Sequence, residues 1–94
     1  MKHAGATTFA ALAPLLKRLR ALDGLSERKL GTFYVRSSAF LHFHEDPQGL
    51  FADVKLDGTE FTRLPVNTLA QQNVLMDLAT NALVLAMKRR GRKA

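Results

Sequence analysis

Apolar residues recur at helical spacing near the beginning of the chain. Phe9, Leu12, Leu16 and Leu19 follow one another at intervals of three and four residues. This interval is the repeat of one face of a helix. The pattern therefore predicts a helix over residues 8–22.

The ends and the middle of this predicted helix carry residues with strong positional preferences. Thr7 or Thr8 is the predicted N-cap, because a hydroxyl can accept an orphan backbone N–H. Pro14 is costly in a helix interior. Either the helix kinks there, or its regular part starts near Ala13 with Pro14 in the first turn. Gly24 is the predicted left-handed stop.

A second helix is predicted over residues 68–90. Thr68 and Gln71 have the spacing of a capping box. Its core stripe consists of Leu75, Leu78, Ala82 and Leu85. Further apolar residues widen this stripe until it nearly surrounds the helix: Leu69, Val74, Met76, Ala79, Leu83, Val84 and Met87. A helix that is apolar all round is usually buried, so we expect it to pack in the core or in a homodimer interface.

Four segments between the helices alternate in polarity and are rich in aromatic and β-branched residues. They cover residues 32–37, 39–44, 50–56 and 60–64. The connections are short, and a short connection makes neighbouring strands antiparallel. The predicted fold class is α+β, a two-layer α-β-β-β-β-α sandwich. Its sheet is an antiparallel meander of three or four strands with both helices on one face.

Alternation divides the strand residues between two faces. The apolar face, which the helices must cover, contains Phe33, Val35, Leu41, Phe43, Leu50, Ala52, Val54 and Leu56. The opposite face contains Tyr34, Arg36, Phe40, His42, His44, Phe51, Asp53 and Lys55. The chain length predicts one domain over 1–94, with 1–7 and 88–94 as flexible ends.

Composition narrows the possible functions. The chain has no cysteine, which excludes disulfides and thiolate chemistry. Its 14 Lys and Arg against 8 Asp and Glu give a formal net charge of +6, which favours an acidic partner. No apolar run approaches the ~20 residues of a membrane span. We therefore expect a cytoplasmic protein without a membrane partner.

The positive charge is concentrated at the C-terminus. Residues 88–94 hold five of the 14 cations and no acid. A basic segment of this kind can neutralise phosphates without reading base sequence. It is also typical of a frayed, solubilising helix end.

Two histidines and an aspartate are the candidate metal ligands. His42 and His44 are two residues apart on one predicted strand, so both point to the same face. Asp53 belongs to that face on the next strand. Two imidazoles and a carboxylate form a common set for divalent metals. The same pattern also fits a solvated sheet face without any ligand.

A second candidate is a surface of aromatic and basic residues for nucleic acid or another partner. Such surfaces stack bases on aromatic rings and hold phosphates with cations. They equally suit homodimerisation or a small-ligand cleft. The predicted residues are Tyr34, Arg36, Phe40, Phe51 and Lys55 on the sheet, with Lys88, Arg89, Arg90, Arg92 and Lys93 at the end of the last helix.

Catalytic motifs are missing from the sequence. Its serines lie in no nucleophile-elbow motif, and its glycines form no phosphate-binding loop. No catalytic residue is therefore predicted, and no cofactor is expected apart from a divalent metal. The function we expect is a non-enzymatic binding or self-associating module. The alternatives are a nucleic-acid-binding protein and a metal-dependent enzyme at His42, His44 and Asp53.

Several short segments carry a family resemblance. Residues 22–25, 30–35, 39–41 and 49–56 resemble the first half of the MmcQ/YjbR-like proteins. Residues 40–49 are also similar to a phrase in small bacterial proteins of unassigned function. The resemblance implies a compact α+β fold of the double-wing type and proposed DNA binding. The family's tryptophan-containing strand is missing here, so no binding residue carries over.

Overall fold

The computed structural model describes residues 2–91, with the side chains of residues 4–88. A short strand, β1 (Lys2–His3), precedes two short helices, α1 (Ala6–Ala11) and α2 (Ala13–Arg20). Five strands and a long C-terminal helix, α3 (Leu69–Gly91), follow. The five strands are β2 (Ser26–Lys29), β3 (Thr32–Val35), β4 (Ser38–Asp46), β5 (Gly49–Lys55) and β6 (Phe61–Pro65).

Strands β2 to β6 lie side by side in chain order, and each is antiparallel to the next. β1 pairs with β4 outside this series. The α+β class and the antiparallel meander are thus confirmed. The meander has five strands, where three or four were predicted. The additional strand is β2, at the edge of the sheet. Its sequence, Ser-Glu-Arg-Lys, is mostly exposed and lacks apolar alternation, so only its backbone pairing with β3 reveals it.

The N-terminal helical region is divided at Leu12. Pro14 lies in the first turn of α2, as the second of the two alternatives predicted. The N-cap of α1 is Gly5, so the predicted cap at Thr7 or Thr8 is wrong. The helix starts earlier than its apolar pattern, and the buried Thr8 hydroxyl instead donates to the Glu45 carboxylate.

Of the two other predicted helix signals, one is displaced and one is present. Gly24 has the predicted left-handed conformation, with φ +96°. It lies in the turn beyond the C-cap of α2, Ala21, and so is not the helix stop itself. Before α3, the Gln71 N–H donates to Thr68 Oγ1 at 3.1 Å. The Thr68 N–H donates back to Gln71 Oε1 at 3.2 Å, which completes the capping box.

The hydrophobic core lies between one face of the sheet and the helices. We call this face the inner face; it contributes Phe33, Val35, Leu41, Phe43, Ala52 and Val54. Helices α2 and α3 contact each other above it, as predicted. Their core residues include Leu15, Leu16, Leu19, Leu75, Ala79 and Leu83. No helix within residues 2–91 has the length and apolar character that a membrane crossing requires.

Phe40 corrects the predicted division of the two faces. The β3–β4 register shifts between Phe33 and Tyr34, which pair with Leu41 and Ala39. Phe40 is therefore the extra residue of a β-bulge and leaves the simple alternation. Only 3% of Phe40 is exposed, and it packs in the core. The predicted aromatic surface therefore loses one of its members.

Candidate metal centre

The candidate site lies on the sheet face opposite the core, which we call the outer face. Antiparallel pairing places His42 opposite Asp53, and Asp53 opposite Arg63. His44 lies one row away, opposite Phe51. Residues that are opposite each other in an antiparallel sheet share a face, with Cβ atoms about 5 Å apart. β4, β5 and β6 thus bring two imidazoles, a carboxylate and a guanidinium together.

Asp53 is the centre of this group. Its Oδ1 accepts from Arg63 Nε at 2.8 Å, and its Oδ2 accepts from Arg63 Nη2 at 3.0 Å. His44 Nε2 lies 2.9 Å from the same Oδ2. Only 6% of Asp53 is exposed. Burial acts to raise the pKa of Asp53, but the Arg63 hydrogen bonds and charge outweigh it, so the pKa is lowered and the carboxylate is ionised.

The two imidazole rings are held by edge contacts. The His42 and His44 ring centroids are 4.8 Å apart, with the rings nearly perpendicular. On its other side, His42 meets the Phe61 ring at 4.7 Å. His42 is half-buried, and only 13% of the His44 side chain is exposed. The neighbouring rings therefore limit how far each imidazole can turn.

The structure brings the three predicted metal ligands into one cluster. One donor atom from each of His42, His44 and Asp53 can be chosen so that all three lie within 4.8 Å of one another. Sequence alternation predicts only that these residues share a face. The β4–β5 register adds that His42 is directly opposite Asp53.

Two further residues of the site were not predicted. Arg63 and Phe61 are alternate residues of β6 on the outer face. Alternation within β6 signals this placement, because Leu64 points toward the core. Their neighbours could not be inferred, because the β5–β6 register decides that Arg63 meets Asp53 and Phe61 meets Lys55.

Cations also lie over two aromatic rings of the outer face. The Lys55 ammonium is 5.2 Å from the centre of the Phe61 ring. The Arg28 guanidinium is 4.5 Å from the centre of the Tyr34 ring and donates to the Arg36 carbonyl. Each of these cation–π contacts favours the observed position of the cation over the ring.

The predicted partner surface is divided between separate parts of the molecule. Tyr34, Phe51 and Lys55 are half-buried on the outer face. Arg36 is in the β3–β4 turn, with φ +57°. Lys88 is exposed on α3, which continues through Arg89 and Arg90. Arg92 and Lys93 lie outside the described residues. Nucleic-acid binding stays a prediction.

Fold and site together define a small α+β protein with an imidazole–carboxylate–guanidinium cluster on an antiparallel sheet. Compared with known proteins, the chain matches no family model, no curated protein and no solved structure. The resemblance to the MmcQ/YjbR-like proteins therefore stays a prediction. Any function assigned to the chain must be argued from the residues of the cluster themselves.

Proposed function

We propose that this protein is a binding module for a divalent transition-metal ion, held by His42, His44 and Asp53. One observation carries the proposal: donor atoms of all three residues lie within 4.8 Å of one another. Imidazole with carboxylate suits zinc, iron and similar ions better than magnesium or calcium, which prefer oxygen alone. The proposed role is binding, with no reaction assigned.

The closest pair of donors already has a suitable separation. His44 Nε2 and Asp53 Oδ2 are 2.9 Å apart. Two ligands that each lie about 2.1 Å from a metal are roughly 3.0–3.4 Å apart in octahedral or tetrahedral geometry. A metal could therefore replace the hydrogen between these atoms with a small change in their separation. His42 offers a nitrogen within 4.8 Å of the other two donor atoms, and a change in the orientation of its ring would complete the set.

Arg63 holds the carboxylate in position for this role. Its two hydrogen bonds fix the plane of the Asp53 carboxylate, as outer-shell partners of metal ligands commonly do. The same positive charge opposes a nearby metal cation. Arg63 should therefore orient Asp53 and limit the affinity for metal.

Zinc titration of the folded protein, followed by calorimetry and by histidine side-chain NMR, tests the proposal. We expect one zinc ion per chain, bound at micromolar concentration, with the signals of His42 and His44 shifted. His42→Ala, His44→Ala and Asp53→Asn should each weaken zinc binding by on the order of tenfold or more.

Two matched variants serve as controls. Asp23→Asn removes an exposed carboxylate from the turn after α2, and Asp77→Asn removes an exposed carboxylate from α3. Both should bind zinc as the unmodified protein does. Absence of micromolar binding, or zinc binding that survives Asp53→Asn unchanged, would contradict the proposed metal site.

A second proposed property is self-association through α3. Of the seven exposed large apolar residues in the described part of the chain, five belong to this helix: Leu69, Val74, Val84, Leu85 and Met87. Val74, Leu78, Asn81 and Leu85 also follow the four-three-four spacing of a helix-pairing seam. We infer that a second copy of the chain pairs along this seam. Asp77 and Lys88 beside it supply opposite charges for the partner helix.

Sedimentation equilibrium measures this association directly. The unmodified protein should have the mass of a dimer, and Val74→Ser with Leu85→Ser should have the mass of a monomer and an unchanged circular dichroism spectrum. Leu30→Ser, at an exposed apolar position between β2 and β3, is the matched control and should stay dimeric. A monomeric unmodified protein at millimolar concentration would contradict this second proposal.

A further inference from the structure

The cluster on β4, β5 and β6 contains two cations, Arg63 and Lys55, in addition to the three proposed metal ligands. We propose that the metal-loaded site binds a small phosphate-type oxyanion, which bridges the metal and the Arg63 guanidinium. This inference rests on the proposed metal site. It adds a ligand class and assigns Arg63 as the residue that selects it.

The coordination number of the metal supplies the first argument. His42, His44 and Asp53 offer one donor atom each. Zinc and related ions take four or more ligands, so three protein donors leave at least one position for an outside ligand. The Arg63 side chain beside the ligands is 48% exposed, so an outside ligand can approach this position from the guanidinium side.

Charge balance indicates the sign of the outside ligand. Among the described side chains, the charged groups around the site are Asp53, Asp46 and Arg63, with Lys55 over the neighbouring Phe61 ring. Two carboxylates and two cations balance in the absence of metal. Since ligating histidines are neutral, a divalent metal adds two positive charges without compensation. A dianionic oxyanion restores the balance.

Arg63 has the geometry to hold such an anion. Two of its three guanidinium nitrogens contact Asp53, and 48% of its side chain is exposed. The guanidinium fork matches two oxygens of a phosphoryl group. When the metal takes part of the Asp53 charge, Arg63 loses some of its attraction to the carboxylate. It is then available to an oxyanion on the metal, where its charge-assisted hydrogen bonds are strong.

Binding of phenylphosphonate, with and without cobalt, measures the coupling between the two ligands. Cobalt(II) replaces zinc as a visible probe, since its absorption bands change when a ligand enters its coordination shell. With saturating cobalt, we expect phenylphosphonate to bind on the order of tenfold more tightly than without metal. Phenylphosphonate should tighten cobalt binding by the same factor, because coupling between two binding sites is reciprocal.

Arg63→Gln separates this inference from the proposed metal site. At a cobalt concentration that saturates the variant, it should have lost the coupling to phenylphosphonate. Arg28→Gln is the matched control, since it removes an equal charge from the same face, over Tyr34; its coupling should be unchanged. Cobalt binding without coupling, or coupling that survives Arg63→Gln, overturns the oxyanion inference alone. Failure of cobalt to bind overturns both.

Discussion

The inner and outer faces of the sheet are carried by the same strands but depend on different interactions. On the inner face, Phe33, Leu41 and Val54 are fully buried among apolar neighbours. On the outer face, Asp53 is nearly as buried, yet directional bonds join it to Arg63 and His44. Apolar packing depends mainly on volume, whereas the outer cluster depends on particular atoms. The inner face should therefore determine the free energy of unfolding, and the outer face should determine which ligand the protein binds.

A pair of phenylalanine substitutions tests this division with the largest expected effect. Phe33→Ala should lower the free energy of unfolding by about 3–5 kcal/mol, because it leaves a cavity in the core. Phe61 is 40% exposed on the outer face. Phe61→Ala should therefore lower the free energy of unfolding by only about 1 kcal/mol or less. Urea unfolding followed by circular dichroism measures both.

In zinc titrations the order of the two variants should be reversed, with Phe61→Ala having the larger effect on zinc affinity. Phe61→Ala removes the ring that meets His42, so its effect should appear in zinc affinity rather than in stability. Equal losses of stability for the two variants would show that the two faces do not differ in the way we describe.

Asp53→Asn should have an intermediate effect on stability. The substitution preserves the shape of the side chain but removes the negative charge that Arg63 and His44 contact. Loss of charge-assisted hydrogen bonds around a buried group should cost about 1–3 kcal/mol. Thermal and urea unfolding should show this loss relative to Asp77→Asn, which changes an exposed carboxylate. If both variants are equally stable, the cluster has no part in holding the strands together.

Sequence patterns are more informative about the inner face than about the outer one. Burial of Phe33, Val35, Leu41 and Phe43 follows from alternation and from the need to cover apolar surface. The burial of Phe40 was not predicted, because a single β-bulge changes the face of a residue without any signal in the sequence.

The candidate site was predictable only in part, for a related reason. His42 and His44 share a face because they are two residues apart on one strand, and this short-range relation is visible in the sequence. The contact between Arg63 and Asp53 depends on the register of two strands joined by a five-residue connection. Loop length and turn geometry decide such a register, so the residue that most affects the site was not predicted.

Glu27 gives the smallest expected effect and tests whether the inner face adds any pH dependence. Glu27 is on β2 at the rim of the core, opposite Phe33 of β3. Arg20 of α2 contacts its carboxylate there. Arg20 Nε and Nη2 donate to its carboxylate at 2.5 and 3.1 Å, and the Gly31 N–H donates at 2.7 Å. The hydrogen bond from Arg20 lowers the pKa of Glu27 despite partial burial, and the Gly31 N–H adds to the effect.

A carboxylate with a lowered pKa stabilises the folded state above its ordinary pKa of about 4.5, and this contribution disappears as the pH falls through the lower folded value. Glu27→Gln should therefore cost about 0.5–1 kcal/mol at pH 7, since half of the Arg20 side chain is solvated. The cost should vanish in acid. Urea unfolding of both proteins between pH 3 and pH 7 measures the difference. A cost that is the same at every pH would mean that the ion pair adds nothing beyond the packing of the side chain, and that the charge dependence of the fold resides elsewhere.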